Sequence, residues 1–159
     1  MEAEAFVELV ERHDVSHRRL AFRLLGDRDR MDDVLQEAYV QAFGALPRFR
    51  GESSLETWLY RIVYNACIDD LRRRRTHETL EEWDERLVTA ATGPEERLDL
   101  AAVLTSLPPE LRAVVVLIDA EGLTYAEAAI VLGAPAGTIA SRLNRARSHL
   151  QALLKGETP

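Results

Sequence analysis

Seven apolar residues, Leu55, Trp58, Leu59, Ile62, Val63, Ala66 and Cys67, recur three or four positions apart. That is the period of an α-helix, not of a strand. A stripe this continuous has to be buried against other elements. The same period recurs along the chain, and nowhere does apolar/polar alternation persist between turn signals. The expected fold class is therefore all-α.

Punctuation divides the pattern into helices. The first is expected over about Glu4 to Leu25, with Phe6, Leu9, Val10, Leu20, Ala21 and Leu24 inward and Gly26 closing it. The second runs from about Asp29 to Leu46 and turns Met31, Val34, Leu35, Ala38 and Ala42 inward. Pro47 and Gly51 mark the loop PRFRGES, and Ser53 with Glu56 forms an S-x-x-E capping box for the striped helix. After Leu98 come LDLAAVLTSL, then PELRAVVVLIDAEG opened by Pro108-Pro109, then TYAEAAIVL behind a second box, Thr124 to Glu127. Gly133-Ala134-Pro135 is a tight turn, and a last helix runs from about Ala136 to Leu154. Residues 76–98 are acidic, weakly periodic and broken at Gly93-Pro94, so they read as a linker. The architecture expected is two small helical domains, an N-terminal bundle over 1–75 and a helix-turn-helix domain over 99–155, joined by an acidic tether. A chain of 159 residues suits that division.

Several function classes are excluded at this level. No apolar run approaches the ~20 residues of a membrane span, and the acidic, amphipathic start resembles neither a secretory signal nor a transit peptide. One cysteine, Cys67, allows no internal disulfide and no paired-cysteine zinc site, and the four histidines form no ligand grouping. There is no phosphate-cradling glycine loop and no nucleophile with an identifiable base. The expectation is a cytoplasmic protein without metal, cofactor or catalysis.

The net charge of −7 argues against nucleic acid only until it is divided. Residues 1–75 hold 13 Arg and 14 acids, residues 76–98 hold 2 Arg and 7 acids, and residues 99–159 hold 5 basic and 6 acidic residues, giving −1, −5 and −1. Local field, not net charge, governs phosphate attraction. Arginines gather at 72–75 and at Arg142, Arg145 and Arg147.

Three motifs carry function. In LTYAEAAIVLGAPAGTIASRLNRARSHL, Ile139, Leu143, Ala146 and Leu150 face inward while Thr138, Ser141, Arg142 and Arg145 face out. This is the pattern of a DNA-reading helix-turn-helix, although an ordinary helical hairpin with a solvated face produces it too. The striped helix leaves Tyr60, Arg61, Tyr64 and Asn65 on its flanks, with Trp58 partly in the stripe. Rings beside arginines suit unpaired bases, each stacked base being worth ~1–3 kcal/mol, although a core role for all the rings is the alternative. In DDVLQEAYVQAF, Asp33, Gln36, Glu37 and Gln41 share one polar face, either solvated or docking another protein.

In this order the motifs resemble the extracytoplasmic-function group of bacterial RNA polymerase sigma factors. DDVLQEAYVQAF resembles that family's core-polymerase-binding segment, FRGESSLETWLYRIVYNACIDDLRRRR its minus-ten segments, and LPPELRAVVVLIDAEGLTYAEAAIVLGAPAGTIASRLNRARSHL its minus-thirty-five domain. The resemblance implies that Asp33, Gln36 and Glu37 dock on core polymerase. It implies that Arg48, Phe49, Arg50, Ser53, Trp58, Arg61, Tyr64, Asn65, Arg72 and Arg73 serve the melted minus-ten element. It implies that Thr138, Ser141, Arg142, Arg145 and Arg147 serve the minus-thirty-five element. It further implies an anti-sigma factor as partner, and a linker threading the RNA path, with a solvated tether the alternative. Two departures stand out: Ala140 where many relatives carry Lys or Arg, and Pro135 where they carry a polar cap. The competing functions are a free-standing helix-turn-helix regulator and a purely protein-binding helical module.

Overall fold

A computed structural model of the chain describes residues 3–75 and 100–156. All regular structure among them is helical. The acidic linker read over 76–98 lies outside the described residues. Helix α1 spans Ala3–Leu25, α2 Arg28–Ala45, a 3-10 turn Leu46–Arg48 and α3 Leu55–Arg75. Then follow α4 (Leu100–Thr105), α5 (Pro109–Val115), a π-helical segment (Val116–Ala120), α6 (Tyr125–Leu132) and α7 (Ala136–Leu154).

Local chemistry accounts for most boundaries. Gly26 closes α1 at φ 72°, a left-handed conformation that costs glycine little. Asp27 caps α2, its carboxylate accepting from the N–H groups of Asp29 and Arg30. Thr124 and Glu127 form the reciprocal capping box expected for α6, and Gly133 (φ 63°) turns the chain into α7. Pro135 sits at the N-cap of α7 with no side-chain hydrogen bond, as its missing hydroxyl dictates. One expectation shifts by a residue. Ser54, not Ser53, caps α3: its Oγ accepts from the Thr57 N–H at 3.1 Å. Glu56 therefore sits at the second helical position, where an acid still complements the dipole but cannot close a box.

Most of the expected inward faces of α1, α2 and α7 are buried: Phe6, Leu9, Leu20, Ala21 and Leu24; Met31, Val34, Leu35, Ala38 and Ala42; Ile139, Leu143 and Ala146; Val10 and Leu150 are partly buried. The two helical groups do not stand apart. One apolar cluster contains Leu20, Leu24 and Leu35 from the first group, Tyr60, Val63 and Tyr64 from α3, and Ala113, Val116, Leu117 and Val131 from the second group. Where one unbroken helix was expected through Asp119, the chain widens into π turns, Glu121 N–H reaching Val116 O at 2.9 Å.

Arg112 is the polar centre of this junction. It is 4% exposed and faces no carboxylate. Its Nε donates to Leu104 O, Nη1 to Arg23 O and Leu24 O, and Nη2 to Thr105 O and Leu107 O, at 2.9–3.1 Å. All five donors of the guanidinium are thus used. Four of the acceptors are carbonyls at the C-terminal ends of α1 and α4, where helix dipoles concentrate negative potential, and the fifth, Leu107 O, lies just beyond α4. Burial lowers the Arg112 pKa to about 10, so the side chain stays cationic at neutral pH. A second tie crosses nearby: Arg19 Nε and Nη2 donate to the two oxygens of Glu121 at 2.7 and 3.0 Å.

Candidate nucleic-acid interface

Helix α3 carries the densest group of expected DNA contacts, and its 100° step per residue sorts them. Leu59, Val63, Ala66 and Cys67 point toward α1 and α2 and are buried. Arg61 and Asn65 stand on the opposite side, exposed to solvent. Tyr60 and Tyr64 correct the sequence reading. They are only 6% and 7% exposed, on a second flank shared with the buried Thr57, because His13 and His17 of α1 pack on Tyr60 and the C-terminal group joins the same apolar cluster. The sequence held a signal for this second stripe: Thr57, Tyr60, Tyr64, Ile68 and Leu71 also recur at three and four. Desolvation raises the pKa of both phenols. At Tyr64 the Glu110 carboxylate adds to the rise, and the cations Arg142 and Arg72 oppose it.

The loop before α3 completes a surface. Arg48 and Arg50 are exposed, and Phe49 and Ser53 are partly covered. The Phe49 ring lies 5.3 Å from that of the half-buried Trp58, tilted at 53°. These residues, with Arg61 and Asn65, line a cleft of about 720 Å³ whose far wall is Ala129, Ile130 and the Gly133-Ala134-Pro135 turn. Rings, three guanidiniums and a carboxamide on one wall can stack bases and hold phosphates. Arg72 and Arg73 lie at the distal end of α3, both exposed. Arg73 approaches Glu37 at 3.8 Å, and Asp70 draws in Arg30, Arg73 and Arg74.

On α7, Ser141 and Arg145 are exposed while Thr138 and Arg142 are partly buried, all four within one side of the helix. Arg147 departs from this set. Nine residues beyond Thr138, about two and a half turns, it emerges on the opposite side and pairs with Asp119 at 2.6 Å. It ties α7 to the π segment instead of joining the outward face.

On α2, Asp33, Gln36 and Glu37 are exposed together. Val40 and Phe43, 68% and 51% exposed, extend the same side. The sequence reading missed them, though apolar residues at outward helical positions were the available signal.

One buried polar group lies behind these surfaces. His17 on α1 is 0% exposed. Its Nδ1 meets the Tyr39 hydroxyl at 2.9 Å, and that hydroxyl donates to Asp14 at 3.1 Å. The imidazole edge packs on Tyr60 with centroids 4.7 Å apart, and Nε2 has no protein partner. Burial first, then His13, lower the His17 pKa to about 4, so the ring is neutral. Among the described residues, no group of three His, Cys, Asp or Glu could hold a metal, and no helix is long and apolar enough to cross a membrane.

Comparison with known proteins meets this geometry at both ends of the chain. Residues 9–77 match the family model described as Sigma-70 region 2, and residues 97–150 match Sigma-70, region 4. The chain is 40% identical over 153 residues to the ECF RNA polymerase sigma factor SigE of Mycolicibacterium smegmatis, covering 91% of this chain and 59% of that relative. It is 38% identical over 151 residues to the ECF RNA polymerase sigma factor SigM of Mycobacterium tuberculosis, covering 94% and 77%. Two solved structures are similar throughout. CnrH, in complex with the cytosolic domain of CnrY, aligns over 99% of this chain and 92% of its own at TM-score 0.76 and 32% identity. The sigma factor RpoE of Bartonella quintana, in complex with the anti-sigma factor NepR, aligns over 96% and 98% at TM-score 0.75 and 28% identity.

Proposed function

The chain belongs to the extracytoplasmic-function group of RNA polymerase sigma factors, and from that membership we propose that it directs bacterial RNA polymerase to particular promoters by docking on the core enzyme and by binding and melting DNA. It works in the cytoplasm and performs no catalysis of its own. Residues 1–75 form the core-binding and minus-ten domain, and residues 99–155 the minus-thirty-five domain. Two tethered contacts to one assembly give each other a high effective concentration, so neither need be tight alone.

The observation that carries the reading is the gathering of Arg48, Phe49, Arg50, Trp58, Arg61 and Asn65 on one wall of the 720 Å³ cleft. A flipped base costs a few kcal/mol in lost stacking and pairing. A wall of rings and cations on a rigid, capped helix supplies the compensation. Asp33, Gln36 and Glu37 make the polymerase face, with Val40 and Phe43 as its apolar part. Thr138, Ser141, Arg142 and Arg145 face the upstream duplex. An anti-sigma factor that clamps both domains is the regulatory partner, in line with the partner named for the Bartonella protein. Tyr64 reaches DNA only if the second group moves off α3.

The test is run-off transcription with core polymerase over a genomic fragment library, with start sites mapped. The reading expects discrete start sites that depend on this chain and that weaken in an Arg61→Ala variant. Failure to co-purify with core enzyme at low salt, together with no directed initiation, would overturn it.

A further inference from the structure

We propose that the cavity bounded by α1, α4, α5, the π segment and α7 binds a small amphipathic anion of the class of medium-chain carboxylates. None of the residues lining it belongs to the DNA-facing or polymerase-facing sets. The proposal therefore goes beyond the promoter reading and does not depend on it. The cavity holds about 290 Å³, at the lower end of small-molecule sites, typically ~300–1,000 Å³. A water takes up ~30 Å³ of liquid, so the space suits a ligand of roughly ten heavy atoms. Its apolar walls are Leu104, Val115, Val116, Ala120 and Leu150. Val116 and Ala120 belong to the π segment, and short π turns inside helices occur frequently at functional sites.

The charged groups around the cavity select the head of the ligand. Arg19, Asp119 and Glu121 line it and are already engaged. Arg19 Nε and Nη2 donate to Glu121 at 2.7 and 3.0 Å, and Arg147 Nε and Nη2 donate to Asp119 at 3.3 and 2.6 Å. Arg23 is different. It is partly buried, and among the described residues its side chain has no hydrogen bond or ion pair. A basic residue in the last turn of a helix ordinarily complements the helix dipole. At the end of α1 that role falls to Arg112, whose Nη1 donates to Arg23 O and Leu24 O at 3.0 Å. The Arg23 guanidinium thus stands at an apolar cavity with no counter-ion among the described residues. Its planar fork matches a carboxylate with two parallel bonds, and the aliphatic walls match a saturated tail.

The experiment titrates octanoate, a probe of roughly ten heavy atoms, into the full chain and follows backbone amide NMR shifts. Saturable shifts are expected at Arg23, Val116 and Ala120, with a dissociation constant of about 0.1–1 mM. 1-Octanol keeps the tail without the charge and should bind at least about tenfold more weakly. Hexanoate, two methylenes shorter, should bind about 15-fold more weakly. Arg23→Gln keeps the backbone carbonyl that serves Arg112 and should lose at least about tenfold in octanoate affinity. Arg23→Lys should retain most of that affinity. Ala120→Phe, at an exposed position on the rim, should fill the cavity and abolish binding. Absence of saturable shifts in the wild type would overturn the proposal. So would octanol binding as tightly as octanoate, or Arg23→Gln binding as the wild type does. If Ala120→Phe melts without cooperativity, the probe series and the two Arg23 variants still decide.

Discussion

His17 makes stability fall with acid in a way that can be worked out. Its imidazole is enclosed by α1, α2 and α3. Asp14 and His13 face it from its own helix, Tyr39 from α2, Tyr60 from α3, and Glu121 contributes field from beyond the π segment. Desolvation holds the folded pKa at about 4 against 6.5 for the free side chain. The folded state therefore resists a proton that the unfolded chain accepts. The stabilisation is fully present above 6.5 and is lost as pH falls toward 4. Across the whole interval the loss is about 3 kcal/mol, and at pH 5 it is already about 2 kcal/mol, at 1.36 kcal/mol per unit of pH. For a fold whose total stability is typically ~5–15 kcal/mol that is a large fraction.

Urea unfolding at pH 7 and pH 5 measures the loss, and His17→Asn isolates it. Asn can keep a bond to Tyr39 but has no proton to gain, so the variant should lose about 2 kcal/mol less than the wild type between the two pH values. Should the variant fold poorly, the wild type still answers through the NMR titration of its own His17 ring. A native-state midpoint near 6.5, or an acid loss identical in both proteins, would refute the reasoning.

The remaining predictions concern caps and faces. Ser54→Ala should cost about 1 kcal/mol in urea unfolding while Ser53→Ala costs little, because only Ser54 serves the Thr57 N–H. Trp58→Ala should weaken anisotropy-measured binding of the single-stranded minus-ten segment by about 5- to 150-fold, the equivalent of the ~1–3 kcal/mol of one stacked base. Arg145→Ala should reduce the slope of log affinity against log salt by about 0.9 on a promoter duplex, and Arg147→Ala should leave it unchanged because that side chain serves Asp119. Glu37→Lys should reduce retention on immobilised core polymerase without altering duplex binding.

How much of this was legible depended on whether a side chain's partner was near in sequence. The Thr124–Glu127 box, the Gly133 turn and the inward row Ile139, Leu143 and Ala146 are local, and the structure holds them as the sequence suggested. The shift from Ser53 to Ser54 shows the limit of local reading: two serines in a row both precede an apolar run, and only backbone geometry chooses between them. Tyr60 and Tyr64 failed for another reason. An amphipathic helix was read as having one buried side, whereas α3 has two, the second supplied by His13 and His17 of α1 and by residues some fifty to seventy positions away. Nothing in the local sequence pattern marks Arg112 or His17 as buried. Their partners are the carbonyl ends of α1 and α4 and a tyrosine on α2, none of which leaves a mark in a sequence pattern.

The closed junction was nevertheless foreshadowed by composition at one place. Leu111 to Leu117 are buried without exception, Arg112 included. A helix apolar on all sides needs walls on all sides. The C-terminal group offers one wall, in Leu104, Leu107, Ala128, Ile139 and Leu143, which meets Val114 and Val115. It has too few helices to offer the other, since a unit of about 55 residues buries only some 60% of its surface. Ala113, Val116 and Leu117 turn instead to α1, α2 and α3. Separation of the groups would return these residues to water along with part of the α3 flank they cover. For the chain by itself, closure is therefore what burial of Ala113, Val116 and Leu117 requires.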